Sequence, residues 1–324
     1  MKETRVMKIV ILDGYALNPG DLDYGELSVF GQVVCYDMTS YDATAARIGD
    51  AEIVLTNKVV IDSDIMDKCP NMKYIGVMAT GYNVVDIQGA RKRNIVVTNI
   101  PNYSTDAVAQ FTFSLILELA NHVGAHSDSV MKGDWTRSND FTYSVYPGLE
   151  LSGKTLGIIG YGNIGKKVSH IARAFGMRVL VNSRTKRDFP EDSLICWADR
   201  ETLFSSSDIV SLHCPLFPET AEIINKESLS MMKKTAFVIN TARGGCVNER
   251  DLTNALNSGR IAGAALDVVS MEPMDKDNPL LTAKNVIITP HIAWAPFETR
   301  RRLLDIAKGN IKGYVEGRPV NVIK

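Results

Sequence analysis

The stretch Leu156-Gly157-Ile158-Ile159-Gly160-Tyr161-Gly162-Asn163-Ile164-Gly165 decides the fold. Small and β-branched apolar residues run into glycines at G-x-G-x-x-G spacing, and apolar positions at helical period continue from Asn163 to Phe175. That order reads strand, tight turn, helix. The glycines have separate tasks. Gly160 permits a turn at positive φ, Gly162 leaves room for a pyrophosphate against the main chain, and Gly165 lets the helix pack close to the strand. The phosphates of a dinucleotide then meet the free N–H groups and the positive dipole end of the helix. Cofactor contacts are therefore expected at Gly160, Tyr161, Gly162, Asn163, Ile164 and Gly165.

Working outward, the pattern on both sides is strand alternating with helix. Before the glycines, apolar runs at Met7–Asp13, Val33–Tyr36, Ile53–Thr56, Tyr74–Met78 and Ile95–Asn99 are spaced by helical or turn-like segments. After them come Arg178–Ser183, Asp208–His213, Ala236–Asn240, Ala262–Asp267 and Val286–Thr289, with a helix at Glu249–Asn257. Alternation of this kind makes parallel sheets of the α/β class. Pro101 ends the first set, and Thr105–Asn121 carries Val108, Phe111, Thr112, Leu115, Ile116 and Leu119 at helical spacing, which reads as a crossing between domains. A last helix, Phe297–Val315, has no place in the second sheet and is expected to return to the first domain. The predicted architecture is two doubly wound domains, a Rossmann cofactor domain over residues 102–292 inserted into a flavodoxin-like substrate domain made of 1–101 and 293–324. Ligands are expected at the C-terminal strand ends, in a cleft between the domains.

At 324 residues the chain suits two domains, each with its own core. A formal net charge of -1 offers no electrostatic footprint for nucleic acid or an anionic membrane. The five cysteines lack any C-x-x-C pair or compact framework and read as thiols of a reducing compartment. No stretch reaches the length of a membrane span, and Met1–Arg5 leads into a strand-like run rather than a signal-peptide core. The expectation is a cytoplasmic, soluble protein. His122 and His126 have metal-ligand spacing but no third ligand or general base beside them, so no metal is expected. The Met231-Met232 pair reads as packing.

Two features bear on chemistry. The strand after the glycine helix reads Val179-Leu180-Val181-Asn182-Ser183-Arg184-Thr185-Lys186-Arg187, with no carboxylate at its end to take a ribose 2′-hydroxyl. Ser183 and the forked Arg184 suit a 2′-phosphate, which favours NADP over NAD. Further on, Arg243, Glu272 and His291 all fall at strand ends. Reduction of a keto acid by hydride needs a proton donor on the ketone oxygen and a cation on the carboxylate. A histidine held protonated by a glutamate supplies the first and an arginine the second.

Four motifs in order, Leu151 to Gly165, Asn240-Thr241-Ala242-Arg243-Gly244-Gly245, Leu266-Asp267-Val268 with Glu272-Pro273, and Thr289-Pro290-His291-Ile292-Ala293-Trp294-Ala295, resemble the D-isomer-specific 2-hydroxyacid dehydrogenase family. The likeness covers essentially the whole chain, and the ending at His291–Ala295 together with Leu12-Asp13-Gly14 looks most like its glycerate dehydrogenase, or hydroxypyruvate and glyoxylate reductase, branch. The resemblance implies an NAD(P)-dependent oxidoreductase of small 2-keto acids with His291 as acid/base, Glu272 as its partner and Arg243 as substrate anchor. It further implies that Asp267 holds the nicotinamide carboxamide, that Thr185, His213, Cys214, Pro215, Thr220, Thr241 and Ala242 line the cofactor, and that Ala79-Thr80-Gly81 receive the substrate carboxylate, with Trp294 also at the substrate. The family is commonly a homodimer through its cofactor domain, and the aromatic-rich stretch Lys132–Gly153 is a candidate surface for a partner subunit. A D-lactate-type dehydrogenase is the alternative within enzymes. A dinucleotide-sensing corepressor is the remote one, disfavoured because the triad is present and interaction tails are absent.

Overall fold

In the computed structural model, residues 7–186, 188–189 and 194–323 are described. Arg187 and Met1–Arg5, which the sequence reading used, lie outside them. The chain divides into two compact units, Met1–Ser104 with Ala295–Lys324, and Thr105–Trp294.

The first unit lays down β1 (Lys8–Ile11), β2 (Gln32–Cys35), α1 (Tyr41–Ile48), β3 (Ile53–Thr56), α2 (Ser63–Lys68), β4 (Tyr74–Val77), α3 (Ile87–Lys92) and β5 (Val96–Thr98). The sheet order is β2-β1-β3-β4-β5, with every pair parallel. This is the flavodoxin-like doubly wound order. Both faces of the central strands are covered, so β3 and β4 read as unbroken apolar runs rather than alternating ones. Asp62 and Asp86 cap α2 and α3, each accepting a backbone N–H with its side chain.

The second unit begins with α4 (Thr105–Asn121) and α5 (Val123–Met131), separated at His122, whose φ is +48°. Then follow β6 (Thr155–Ile159), α6 (Asn163–Ala174), β7 (Arg178–Asn182), β8 (Ile195–Trp197), α7 (Arg200–Ser206), β9 (Ile209–Leu212), α8 (Lys226–Met231), β10 (Phe237–Asn240), α9 (Glu249–Asn257), β11 (Gly263–Leu266) and β12 (Val286–Ile288). The seven-stranded sheet runs β12-β11-β10-β9-β6-β7-β8, all parallel, with order reversing about β6. Successive residues of a strand point to opposite faces. Leu156 and Ile158 thus join Val168 and Ala172 of α6 and Phe113 of α4 in one core layer, and Ile159 joins Leu203, Leu229 and Leu252 of α7, α8 and α9 in the other. The chain then returns to the first unit as α10 (Phe297–Val315), held there by Arg300 on Asp21 and by Arg301 and Lys308 on Glu26. These partners pull the Glu26 carboxyl down to about 2. No described helix is long and apolar enough to cross a membrane.

Candidate functional site

The glycine turn shows which of its residues packing demands. Gly160 has φ +97°, and a Cβ there would stand 2.6 Å from the backbone of His213 and Cys214. A Cβ on Gly165 would stand 2.2 Å from the Gly160 carbonyl oxygen. At Gly162, the residue capping α6, an added Cβ meets nothing within 4 Å. Internal packing therefore accounts for the outer two glycines and leaves the middle one facing open space, beside a helix N-terminus whose first N–H groups have no intrahelical acceptor. That is the cradle a pyrophosphate fits. Tyr161 beside it meets Phe189 edge-on, with centroids 5.3 Å apart.

His213 leaves β9 with Nε2 2.8 Å from Ser211 Oγ. Its Nδ1 is buried without a partner among the described residues, and burial pushes the imidazole down to about 3, so the ring is neutral at physiological pH. This buried, unpartnered ring nitrogen stands at the strand end next to the glycine turn. The following loop is folded on Thr220, whose hydroxyl donates to the Pro215 carbonyl at 2.7 Å and accepts from Phe217 N at 2.8 Å. The Cys246 thiol, hydrogen-bonded to Cys214 and buried, is pushed well above the ordinary thiol range. That contact joins this loop to the turn after Arg243.

Asn240, fully buried at the end of β10, shapes that turn. Its amide donates to the Arg243 carbonyl at 2.9 Å and accepts from Ala242 N at 3.0 Å. Thr241 Oγ1 lies 3.1 Å from Thr112 Oγ1 of α4. The Arg243 guanidinium is exposed and donates to Ala242 O at 2.7 Å. At Gly244 a Cβ would stand 1.9 Å from the Val269 carbonyl, so only glycine lets the arginine turn approach the loop after β11.

That loop carries Glu272. Glu249, the first residue of α9, braces it by accepting from Ser270 N at 2.6 Å and Asn278 Nδ2 at 2.9 Å. Glu272 Oε2 lies 2.7 Å from His291 Nδ1, with both side chains half-buried. An ionised carboxylate only accepts, so Nδ1 carries the hydrogen and Nε2, with no partner among the described residues, is the exchanging position. His291 has φ +55°, an uncommon backbone for a residue with a Cβ. Asp267 holds it there. Its Oδ1 accepts from Thr289 Oγ1 at 2.7 Å and Ile292 N at 2.9 Å, its Oδ2 from Ala293 N at 2.9 Å, and its carbonyl from His291 N at 2.8 Å. A carboxamide donor at Asp267 would thus be an additional bond at Oδ2, on a residue that already shapes the histidine turn. Trp294 follows, half-buried.

At the end of β7, Ser183 donates to Thr185 O at 2.7 Å and Lys186 lies over the Trp197 ring at 5.3 Å. Arg184 is exposed and pairs with no described residue. In the first unit, Ala79-Thr80-Gly81 leave the end of β4. His126 uses both ring nitrogens, Nδ1 2.8 Å from His122 O and Nε2 accepting from Val145 N at 3.1 Å, and no described group of three His, Cys, Asp or Glu side chains suits a metal. Glu249, Asn240 and the turn-shaping role of Asp267 escaped the sequence reading. The one local signal was Asn248-Glu249 opening a helix.

A family model described as "D-isomer specific 2-hydroxyacid dehydrogenase, NAD binding domain" matches residues 113–293. The chain is similar to a hydroxypyruvate reductase of Blautia hydrogenotrophica, at 50% identity over 98% of this chain and 99% of the relative. It is also similar to a glycerate dehydrogenase of Methylorubrum extorquens, at 39% over the same shares. A solved acyclic imino acid reductase in complex with NADPH and D-Arg superposes with a TM-score of 0.85 at 31% identity, covering 98% of this chain and 100% of that one.

Proposed function

The chain belongs to the D-isomer-specific 2-hydroxyacid dehydrogenase family, and we propose that it reduces hydroxypyruvate or glyoxylate to D-glycerate or glycolate. The single observation that carries the chemistry is the His291–Glu272 pair at 2.7 Å, with Nε2 paired to no described residue. The bound dinucleotide supplies the hydride. His291 Nε2 gives its proton to the ketone oxygen as that oxygen gains charge, and Glu272 steadies the imidazolium beforehand. Arg243 takes the carboxylate with two parallel hydrogen bonds. Separately, the first unit's Ala79-Thr80-Gly81 offer backbone N–H groups of the kind that receive a carboxylate. A coupled assay of NADH and NADPH, each against hydroxypyruvate, glyoxylate and pyruvate, tests the substrate reading. Preference for pyruvate would turn it to a D-lactate-type enzyme, and no turnover with any of them would remove it.

We further propose NADP as the preferred cofactor. The residues at the end of β7, Asn182-Ser183-Arg184, include no carboxylate to repel a 2′-phosphate, and Arg184 has no described partner to compete for it. Ser183 spends its proton on Thr185 O, so the arginine carries the discrimination. Charge-assisted hydrogen bonds of roughly 1.5–3 kcal/mol correspond to about ten- to a hundredfold in affinity. Arg184→Ala is expected to weaken NADPH by that factor and NADH by only a few-fold, read by quenching of protein fluorescence. Equal wild-type affinities for the two cofactors would sink the preference.

A homodimer is the third part of the reading. Around α5, Met131 is 83% and Phe141 85% exposed, with Trp135 and Tyr146 beside them in sequence also exposed. Four large apolar side chains left in water within one short stretch of chain support a partner at this surface. Light scattering is expected to give twice the 35.6 kDa chain mass, and Phe141→Asp to return it to that of one chain. A monomeric wild type would exclude the dimer.

A further inference from the structure

The loop after β4 is clamped by its carbonyls. Met78 O accepts from Asn57 Nδ2 at 2.6 Å, Ala79 O from Ile100 N at 3.0 Å, and Thr80 O from Asn99 Nδ2 at 2.7 Å. The N–H groups of Ala79, Thr80 and Gly81 pair with no described residue. In a trans peptide the C=O and the following N–H point in opposite directions. These bonds are trans, so each clamped carbonyl aims the next residue's N–H. The carbonyls of Ala79 and Thr80 are both taken by Asn99-Ile100. The N–H groups of Thr80 and Gly81 therefore point the same way, away from that segment, as two adjacent donors for one anion.

The Ile100 clamp is backbone and the Asn99 clamp is a side chain, so the second depends on residue identity. Asn99 is itself braced. Its carbonyl accepts from Asn310 Nδ2 at 3.0 Å, Asn310 Oδ1 accepts from Asn321 Nδ2 at 2.8 Å, and Asn99 N donates to Asn321 O at 3.3 Å. Asn310 is buried in α10, so the C-terminal helix stands behind the loop. Without the Asn99 amide, the Thr80–Gly81 peptide loses its only described carbonyl partner. Glycine on one side lets that plane rotate and turn an oxygen, rather than an N–H, toward the anion.

We propose that Asn99, braced by Asn310, is a positioning residue that aims the Gly81 N–H at the substrate carboxylate. This rests on the reading of Ala79-Thr80-Gly81 as carboxylate receptor. The test compares Asn99→Ala with Gly81→Pro, which deletes the N–H itself. For Asn99→Ala, KM for hydroxypyruvate is expected to rise about tenfold. Inhibition by oxamate, a carboxylate that is not reduced, should weaken by the same factor, with kcat, NAD(P)H affinity and Tm little changed. A general loosening of the fold would instead lower kcat and Tm. If Gly81→Pro raises KM while Asn99→Ala leaves it unaltered, the loop is the receptor and the positioning role is overturned. If Gly81→Pro leaves KM unaltered, the receptor reading falls and the proposal with it. Should Asn99→Ala fail to fold, Asn99→Leu, similar in shape and without a donor, gives the same two answers.

Discussion

His291→Ala is expected to lower kcat by roughly 10²–10⁴ while nucleotide affinity stays nearly unchanged. The size follows from what the residue holds. Glu272 occupies Nδ1 at 2.7 Å, which leaves Nε2 as the only ring position able to deliver a proton. A second variant separates chemistry from backbone. His291 sits at φ +55°, where alanine is strained but asparagine is tolerated. His291→Asn therefore keeps the turn that Asp267 builds and still lacks a transferable proton, so it should lose as much as His291→Ala. Recovery in the asparagine variant would mean that the alanine loss was conformational. Near-normal turnover in both would remove His291 from the mechanism. Glu272→Gln still offers an amide oxygen to Nδ1 but no charge to the imidazolium, so its loss should be smaller. Steady-state rates at saturating substrate and cofactor decide each case.

Fold and site were legible to different depths, for physical reasons. Buried parallel strands are continuous apolar runs, and Ile53–Thr56 was read with its observed bounds because all four residues are buried. Thr105–Asn121 and Phe297–Val315 were likewise read to the residue, since their apolar stripes persist over many turns. The strand Ile195–Trp197 was missed because three residues carry no period. The separate helix Val123–Met131 was missed because no local rule marks His122 for the φ of +48° at which the chain restarts. The Met231-Met232 pair divides, with Met232 buried and Met231 41% exposed, where packing alone was expected of both.

The candidate chemistry was visible as residue types at strand ends, and what positions it was not. Asp267 reaches Ala293 across 26 residues, and Glu249 reaches Asn278 across 29. Such contacts exist only once parallel strands bring their C-terminal loops together. Asp13 behaves alike in the first unit. Its carboxylate accepts from the backbone N–H groups of Asn57, Lys58 and Val59, shaping the loop whose asparagine clamps Met78. In sequence Asp13 is the acid ending an apolar run and part of the Leu12-Asp13-Gly14 likeness, and neither shows the loop that it holds.

For Arg243 the expected result is a loss on substrate terms. The guanidinium is exposed, but its backbone is not free to wander. Asn240 closes the turn from both sides, and Gly244 seats it against Val269 with no room for a side chain. The turn therefore fixes where the fork starts, and Ala242 O accepts one of its donors at 2.7 Å, leaving the others for a carboxylate. Two charge-assisted hydrogen bonds, at roughly 1.5–3 kcal/mol each, correspond to about 10²–10⁴ in kcat/KM for Arg243→Ala. Lysine brings the charge back as a single point on a flexible stem and cannot form the parallel pair, so Arg243→Lys should recover only a small part. Kd for NAD(P)H, measured in the absence of substrate, should stay within a few-fold in both variants. If nucleotide affinity alone fell and kcat/KM at saturating cofactor were normal, Arg243 would belong to the cofactor and not to the substrate carboxylate.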